Sequence, residues 1–129
     1  MKTLVVALAL VLLSGCATVV SWIPSFNDPN QSQKITDVRM SVDQLDCARP
    51  QHAQAVIIQR ELRWFELYSE SNGVRNQDVI RIIKPIQATV GEFVTRTKTQ
   101  DASRVYCDLK KQVMQEQAAR AAAVILGRF

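Results

Sequence analysis

The sequence predicts an all-α fold: a small antiparallel bundle of about four helices, braced by one disulfide, that follows a signal peptide and a short linker. Three observations lead to this prediction. Apolar residues recur every three or four positions through most of the chain after residue 32, which is helical spacing. Only four glycines and four prolines occur, so turn-rich all-β architectures are not expected. A chain of 129 residues with 47% hydrophobic residues suits one globular domain.

The first segment has the layout of a secretory signal peptide. Residues 1–2 supply a positive start, residues 3–13 form an apolar run, and small residues occupy positions 14–17. The run is shorter than the roughly 20 apolar residues that span a bilayer. The alternative is an uncleaved signal anchor, in which residues 19–23 lengthen the apolar run enough to cross the membrane.

Residues 13–16, Leu-Ser-Gly-Cys, resemble the lipobox of bacterial lipoproteins. In that family the cysteine thiol receives a diacylglycerol, the signal peptide is cut before the cysteine, and the new amino group is acylated. The resemblance implies that residues 1–15 are removed, that Cys16 carries the lipid, and that residues 16–31 form a tether. Ala17 stands where an aspartate would imply retention at the inner membrane, so the family's sorting rule implies the periplasmic face of the outer membrane.

The first two helices are predicted from apolar spacing and from the residues that end them. Helix 1 is expected from about residue 32 to 49, because the residue before Pro50 avoids the α region. Pro24 and Pro29 oppose helix before it. Helix 2 is expected over 51–71, where Asn72 and Gly73 would stop it with a left-handed cap.

Helix 3 is expected over about 76–97, with Asn76 as its N-cap and a kink at Pro85. Helix 4 is expected to start at Asp101 or Ser103 and to run to Leu126, which completes a folded domain over residues 32–129.

The apolar residues of helices 2 and 4 predict neighbours on two sides of each helix. In helix 2 one arc holds Ile57, Ile58, Trp64, Phe65 and Tyr68, and a second arc holds Val56 and Leu67. In helix 4 one stripe holds Val105, Tyr106, Leu109 and Val113, and a second stripe holds Cys107, Met114, Ala118, Ala121 and Ile125.

Cys47 and Cys107 remain after cleavage before the lipid-bearing cysteine. In an exported domain, an even number of cysteines usually forms disulfides. Short loops make consecutive helices antiparallel, so the end of helix 1 and the start of helix 4 share one pole of the bundle. We therefore predict a Cys47–Cys107 disulfide, closing a loop of about 60 residues and contributing roughly 4 kcal/mol on the chain-entropy model.

The composition argues against several classes of function. The net charge of +4 comes from Lys and Arg scattered among Asp and Glu, whereas nucleic-acid-binding proteins usually have a basic stripe. The single histidine, His52, has no second histidine to complete a zinc site, and no glycine-rich phosphate loop occurs. We expect no enzyme activity, no metal or other cofactor, no nucleic-acid partner and no small-molecule substrate.

Glu61 lies on the apolar arc of helix 2 and allows an enzymatic alternative. A carboxyl group with a raised pKa there would suit general acid catalysis on a glycan. The structural interpretation is a carboxylate at the edge of the core, paired with an arginine such as Arg120, which lies four residues after Glu116 on helix 4. We prefer the structural interpretation.

What remains is a lipid-anchored helical domain that works by binding another envelope protein, as an adaptor or assembly factor. The end of helix 4 is the candidate contact surface, because it is expected to extend beyond its neighbours and carries Val124, Ile125, Leu126 and Phe129. The alternative is that this apolar end folds onto the bundle. The combination of lipobox, four helices and one disulfide resembles the small helical pilotin lipoproteins, which carry secretin subunits to the outer membrane. The alternative is a regulatory lipoprotein that binds the ectodomain of a sensor or an enzyme.

Overall fold

The computed structural model describes residues 27–73 and 76–128 and confirms the all-α prediction. Four helices follow one another in the described chain: α1 Pro29–Asp43, α2 Gln51–Ser71, α3 Gln77–Thr97 and α4 Arg104–Leu126. These ranges contain no β-strand. The predicted signal peptide, the lipid-bearing Cys16, most of the predicted tether, and Phe129 lie outside the described residues.

The helices form an antiparallel ring in which each helix packs on two others. α1 and α3 each contact α2 and α4, so α2 and α4 are diagonal to one another. The start of α1 meets the end of α2, where the Asn30 amide donates a 2.8 Å hydrogen bond to the Tyr68 hydroxyl. The starts of α2 and α4 meet at the opposite pole, where the Gln51 side chain accepts from the N–H of Ala102 at 3.0 Å and donates to its carbonyl at 3.1 Å.

α1 begins three residues earlier than predicted. Pro29 occupies the first helical turn, where a missing N–H costs nothing, and Asp28 caps the helix by accepting from the N–H of Asn30 at 2.9 Å. The proline expected to oppose the helix therefore starts it. The helix also ends earlier, at Asp43, although Leu45 in the following loop is still buried.

The other boundaries agree closely with the sequence pattern. α2 spans the predicted 51–71, and Gly73 follows it with a φ of 84°, the left-handed conformation expected there. Asn76 holds the N-cap position of α3 but makes no side-chain capping hydrogen bond. Ser103 caps α4 by accepting from the N–H of Tyr106 at 3.3 Å.

The core lies along the axis of the ring and takes apolar side chains from all four helices. Phe65 of α2 and Phe93 of α3 are its largest members, and both are fully buried. The second predicted stripe of α4 is confirmed, because all its residues are buried: Cys107, Met114, Ala118, Ala121 and Ile125.

The other predicted arcs are wrong in part. α2 buries a single continuous arc made of Gln51, Ala55, Ile58, Leu62, Phe65, Glu66 and Ser69. The first predicted stripe of α4 is mostly exposed, with only Tyr106 packed against the core. In a ring of four helices, the two neighbours of each helix lie on adjacent sides of it. One continuous apolar arc is therefore enough to contact both neighbours. The remaining apolar residues of α2 and α4 face outward.

The predicted disulfide between Cys47 and Cys107 is confirmed, with 5.8 Å between the two Cα atoms. Cys107 is fully buried in α4 and Cys47 lies in the loop after α1. The Lys111 ammonium donates a 2.8 Å hydrogen bond to the carbonyl of Leu45 beside it. Loop and helix are thus joined both covalently and by hydrogen bonding at this pole.

Candidate functional site

The outward face of α2 is the most distinctive apolar surface of the described chain. Four large side chains on it, those of Val56, Ile57, Trp64 and Leu67, are 36–48% exposed. An open depression of about 530 Å³ lies along this face, and its lining is formed by α2 residues alone: Val56, Gln59, Arg60, Arg63, Trp64 and Leu67. Their spacing of three to four positions places them on one side of the helix. We call this surface the α2 face.

An aromatic pair ends the α2 face at the pole where the chain enters α1. The rings of Trp64 and Tyr68 stack with centroids 5.0 Å apart, and the Lys34 ammonium of α1 lies 5.2 Å from the centre of the Trp64 ring. The Tyr68 hydroxyl accepts from Asn30 at 2.8 Å and donates to the Asp28 carboxylate at 3.4 Å. The residue that caps α1 therefore touches the aromatic end of the α2 face.

A nearly buried carboxylate, Glu66, lies beside the α2 face, between α2 and α3. Its side chain is 9% exposed and binds the Arg63 guanidinium at 2.7 Å, the Lys84 ammonium, and the Gln87 amide at 3.2 Å. The hydrogen bond from Lys84 lowers the pKa of Glu66 most, burial opposes it, and the bonds from Arg63 and Gln87 lower it further. Glu66 is thus held ionised, and it anchors one edge of the α2 face to α3.

The outward arc of α2 carries two arginines, and the exposed Glu70 lies at its edge. Along it run Ala53, Val56, Ile57, Arg60, Arg63, Trp64, Leu67 and Ser71. Arg63 is compensated by Glu66, whereas Arg60 forms no ion pair with any described residue. The α2 face therefore combines apolar side chains with two arginines.

α4 presents a second outward apolar stripe on the opposite side of the ring. Val105 is 80% exposed, Leu109 is 58% exposed, and Val113 follows on the same side. Charges of both signs share this side in two ion pairs, Arg104–Asp108 and Glu116–Arg120, each at 3.8 Å. We call Val105, Leu109 and Val113 the α4 stripe.

The α4 stripe is next to a polar contact that holds α4 to α3. Lys110 binds the Glu92 carboxylate at 2.8 Å, and the Tyr106 hydroxyl donates to Glu92 at 3.3 Å. The hydrogen bond with Lys110 lowers the pKa of Glu92 and raises the pKa of Lys110. The first half of α4 is therefore fastened on the side that flanks the stripe.

The predicted surface at the end of α4 is only partly exposed. Val124 and Leu126 are exposed, but Ile125 is 2% exposed and belongs to the core. The expectation that this helix end extends beyond its neighbours is wrong at Ile125, because the antiparallel α3 begins beside it. The ion pair between Asp78 at the start of α3 and Arg128 shows this contact. Phe129, the fourth predicted residue, lies outside the described part of the chain.

The remaining candidate residues do not assemble into one site. Glu61 is partly buried, and its Oε2 has no hydrogen-bond partner among the described residues. The expected pair with Arg120 is wrong, because Arg120 binds Glu116 and α2 lies diagonally across the ring from α4. His52 contacts the Thr97 hydroxyl at 3.4 Å, at the pole opposite Tyr68. Within residues 27–73 and 76–128 no three His, Cys, Asp or Glu residues are grouped to hold a metal ion.

The sequence did contain a signal for the α2 face that periodicity alone misreads. When the helix is viewed end on, Arg60 lies between the apolar positions 64 and 67, and Arg63 lies next to position 56. Two arginines on an arc mark it as the solvent side, since charged residues are almost never fully buried without partners. Trp64 and Leu67 were instead assigned to the packed sides of the helix.

None of the four described helices is both long and apolar enough to cross a membrane. Compared with protein-family models, with curated proteins and with solved structures, the chain matches none.

Proposed function

We propose that this protein is a lipid-anchored adaptor of the bacterial cell envelope, attached through Cys16 to the periplasmic face of the outer membrane, and that it acts by binding another envelope protein. The lipobox-like residues 13–16 support the anchor, and the cysteine pair supports export, since disulfides persist in oxidising compartments. The helical bundle is the part that would make the protein contact.

The observation that carries the protein-binding role is the α4 stripe. Monomeric proteins rarely expose contiguous apolar patches larger than a few hundred Å², and such patches are often binding sites. Val105 and Leu109 extend furthest into solvent, and the flanking ion pairs resemble the charged rim that surrounds the apolar centre of a protein interface. Val124, from the surface first predicted at the end of α4, continues the exposed apolar residues along the same helix.

The stripe is held on a rigid support. The disulfide fixes the first turn of α4 to the loop after α1, and Glu92 fixes Lys110 to α3. A partner would therefore meet a surface that is already ordered, which lowers the entropic cost of association. This suits an adaptor that carries or positions a larger protein.

A photo-crosslinking amino acid at position 109 of the full-length, lipidated chain tests the proposal in intact cells. We expect one discrete crosslinked product whose formation is abolished by Val105→Glu, because a buried carboxylate without a partner costs several kcal/mol at an interface. The matched control places the crosslinker at Gln33, an exposed polar position of α1. Equal crosslinking patterns at positions 109 and 33, or no product at 109, would refute α4 as the contact surface.

A further inference from the structure

We propose that the α2 face rests on the phospholipid bilayer to which the chain is anchored, so that the α4 stripe points away from the membrane. This inference rests on the lipid anchor in the proposed function. It adds a second, peripheral membrane contact made by the folded domain itself, and hence a defined orientation.

The place where the chain leaves the bundle supports this orientation. Asp28, at the start of the described chain, touches Tyr68 and also accepts from the Asn72 amide at 3.4 Å, so it lies at the end of α2. Twelve residues separate Cys16 from Pro29, which at full extension reach about 40 Å. The α2 face runs about 16 Å from Leu67 to Val56 at the helical rise per residue. Every part of it lies within reach of the anchored leaflet.

The chemistry of the α2 face suits the headgroup layer. Its apolar residues end in a Trp–Tyr pair, and these amphipathic aromatic rings settle at membrane–water interfaces. Arg60 and Arg63 are its charges, and their long side chains can place guanidinium groups among lipid phosphates while their stems cover apolar surface. The exposed carboxylate of α2, Glu70, lies at the end of this arc, three residues after Leu67.

The outward side of α4 carries more acidic charge than the α2 face. Asp108 and Glu116 are exposed beside its apolar residues, and anionic lipids would repel both. The apolar residues of the α2 face are 36–48% exposed and lie along an open depression, whereas Val105 is 80% exposed. A face with arginines and an aromatic pair fits the lipid headgroup layer better than a stripe with two exposed carboxylates.

A second copy of the chain is a poorer occupant of the α2 face. A two-fold contact through this surface uses the same patch on both copies, so it would bring Arg60 and Arg63 of one copy against those of the other. Arg60 has no described counter-ion to offset that repulsion. The negatively charged surface of a phosphatidylglycerol-containing leaflet provides one.

Tryptophan quenching in reconstituted vesicles tests the orientation. The chain has two tryptophans, so Trp22→Phe leaves Trp64 as the only reporter. The lipidated variant is placed in vesicles of phosphatidylethanolamine and phosphatidylglycerol whose acyl chains carry bromine, a short-range quencher. The matched control adds Trp64→Phe and Val105→Trp, which moves the single indole to α4. We expect loss of fluorescence for Trp64 and none for the indole at position 105.

The same vesicles separate failure of this inference from failure of the anchor. If the protein floats with the vesicles but Trp64 is unquenched, or is quenched no more than the indole at 105, the membrane contact is refuted while the anchor stands. If the protein does not float, both proposals fall. A photo-crosslinker at position 64 that captures one protein in cells, with no lipid quenching, would assign the α2 face to a protein and overturn the membrane contact.

A charge reversal on the α2 face adds a second criterion. Arg60→Glu should reduce Trp64 quenching in phosphatidylglycerol-containing vesicles, and Arg39→Glu, an exposed site on α1 that makes the same change in net charge, should not. Equal effects of the two variants would show that only overall charge matters and would refute a specific α2 contact.

Discussion

Breaking the disulfide should remove a large share of the stability of the bundle. Cys47 and Cys107 are 60 residues apart in the chain, and closing a loop of that length lowers the entropy of the unfolded chain by an amount worth about 4 kcal/mol at 25 °C. Small domains are stable by only about 5–15 kcal/mol, so this is a substantial fraction. We expect Cys47→Ala to lower the free energy of unfolding by about 4 kcal/mol and the melting temperature by about 15 °C or more.

The assay is urea unfolding of the soluble chain, made with Cys16→Ser to prevent lipidation, followed by circular dichroism. Cys47→Ala leaves the buried Cys107 thiol in place, so it removes the bridge while keeping the packing around α4. The control is the double variant Cys47→Ala/Cys107→Ala. A loss below about 1 kcal/mol for the single variant would refute the loop-entropy argument. A much larger loss in the double variant would show that Cys107 acts through packing rather than through the bridge.

Two further predictions follow from burial and from charge. Phe65→Ala should destabilise the fold by about 3–5 kcal/mol, because Phe65 is fully buried. Trp64→Ala should cost about 1 kcal/mol or less, because the indole of Trp64 is half exposed. Equal losses of unfolding free energy for the two variants in urea would contradict the assignment of faces. Glu66→Gln should cost about 1–2 kcal/mol at pH 7, because Gln cannot pair with Lys84 and Arg63. The folded pKa of Glu66 lies below the ordinary glutamate value of 4.5, so its contribution is present above pH 4.5 and is lost as pH falls through the folded pKa. The stability difference between wild type and Glu66→Gln should therefore shrink on acidification from pH 5 to pH 3, and a constant difference over that range would refute the ion-pair explanation.

The two outward apolar surfaces together suggest how an anchored adaptor would be organised. The α2 face and the α4 stripe lie on diagonal helices, so one surface can meet the bilayer while the other meets a protein. A tether alone would leave the domain free to rotate. A second contact through α2 would hold the α4 stripe toward the periplasm and reduce the orientational cost of binding.

Helix boundaries were predictable where local residues decide them. α2 spans 51–71 because Pro50 precedes it and Gly73 follows it in a left-handed conformation, and both effects act within one turn. α1 was misjudged at both ends. Pro29 is compatible with a first helical turn as well as with a loop, and here Asp28 caps that turn while also binding Tyr68 and Asn72, which are distant in sequence.

The disulfide was predictable because it depends on topology rather than on side-chain detail. Short loops impose antiparallel order, and that order alone brings Cys47 and Cys107 to one pole. The buried charge of Glu66 was not predictable in the same way. Its partner Lys84 lies 18 positions away on α3, and periodicity in one helix carries no information about which residues a neighbouring helix presents.

The number of helices, their approximate limits, their antiparallel order and the cysteine pair could be read from the chain alone, because they depend on local propensity and loop length. Which apolar residues are core and which are surface depends instead on how the four helices pack. α2 and α4 carry apolar residues over more of their circumference than two adjacent neighbours can cover. The ring therefore buries Phe65 and Ile125 and leaves Trp64 and Leu109 in solvent, and that choice is made by the positions of the other helices.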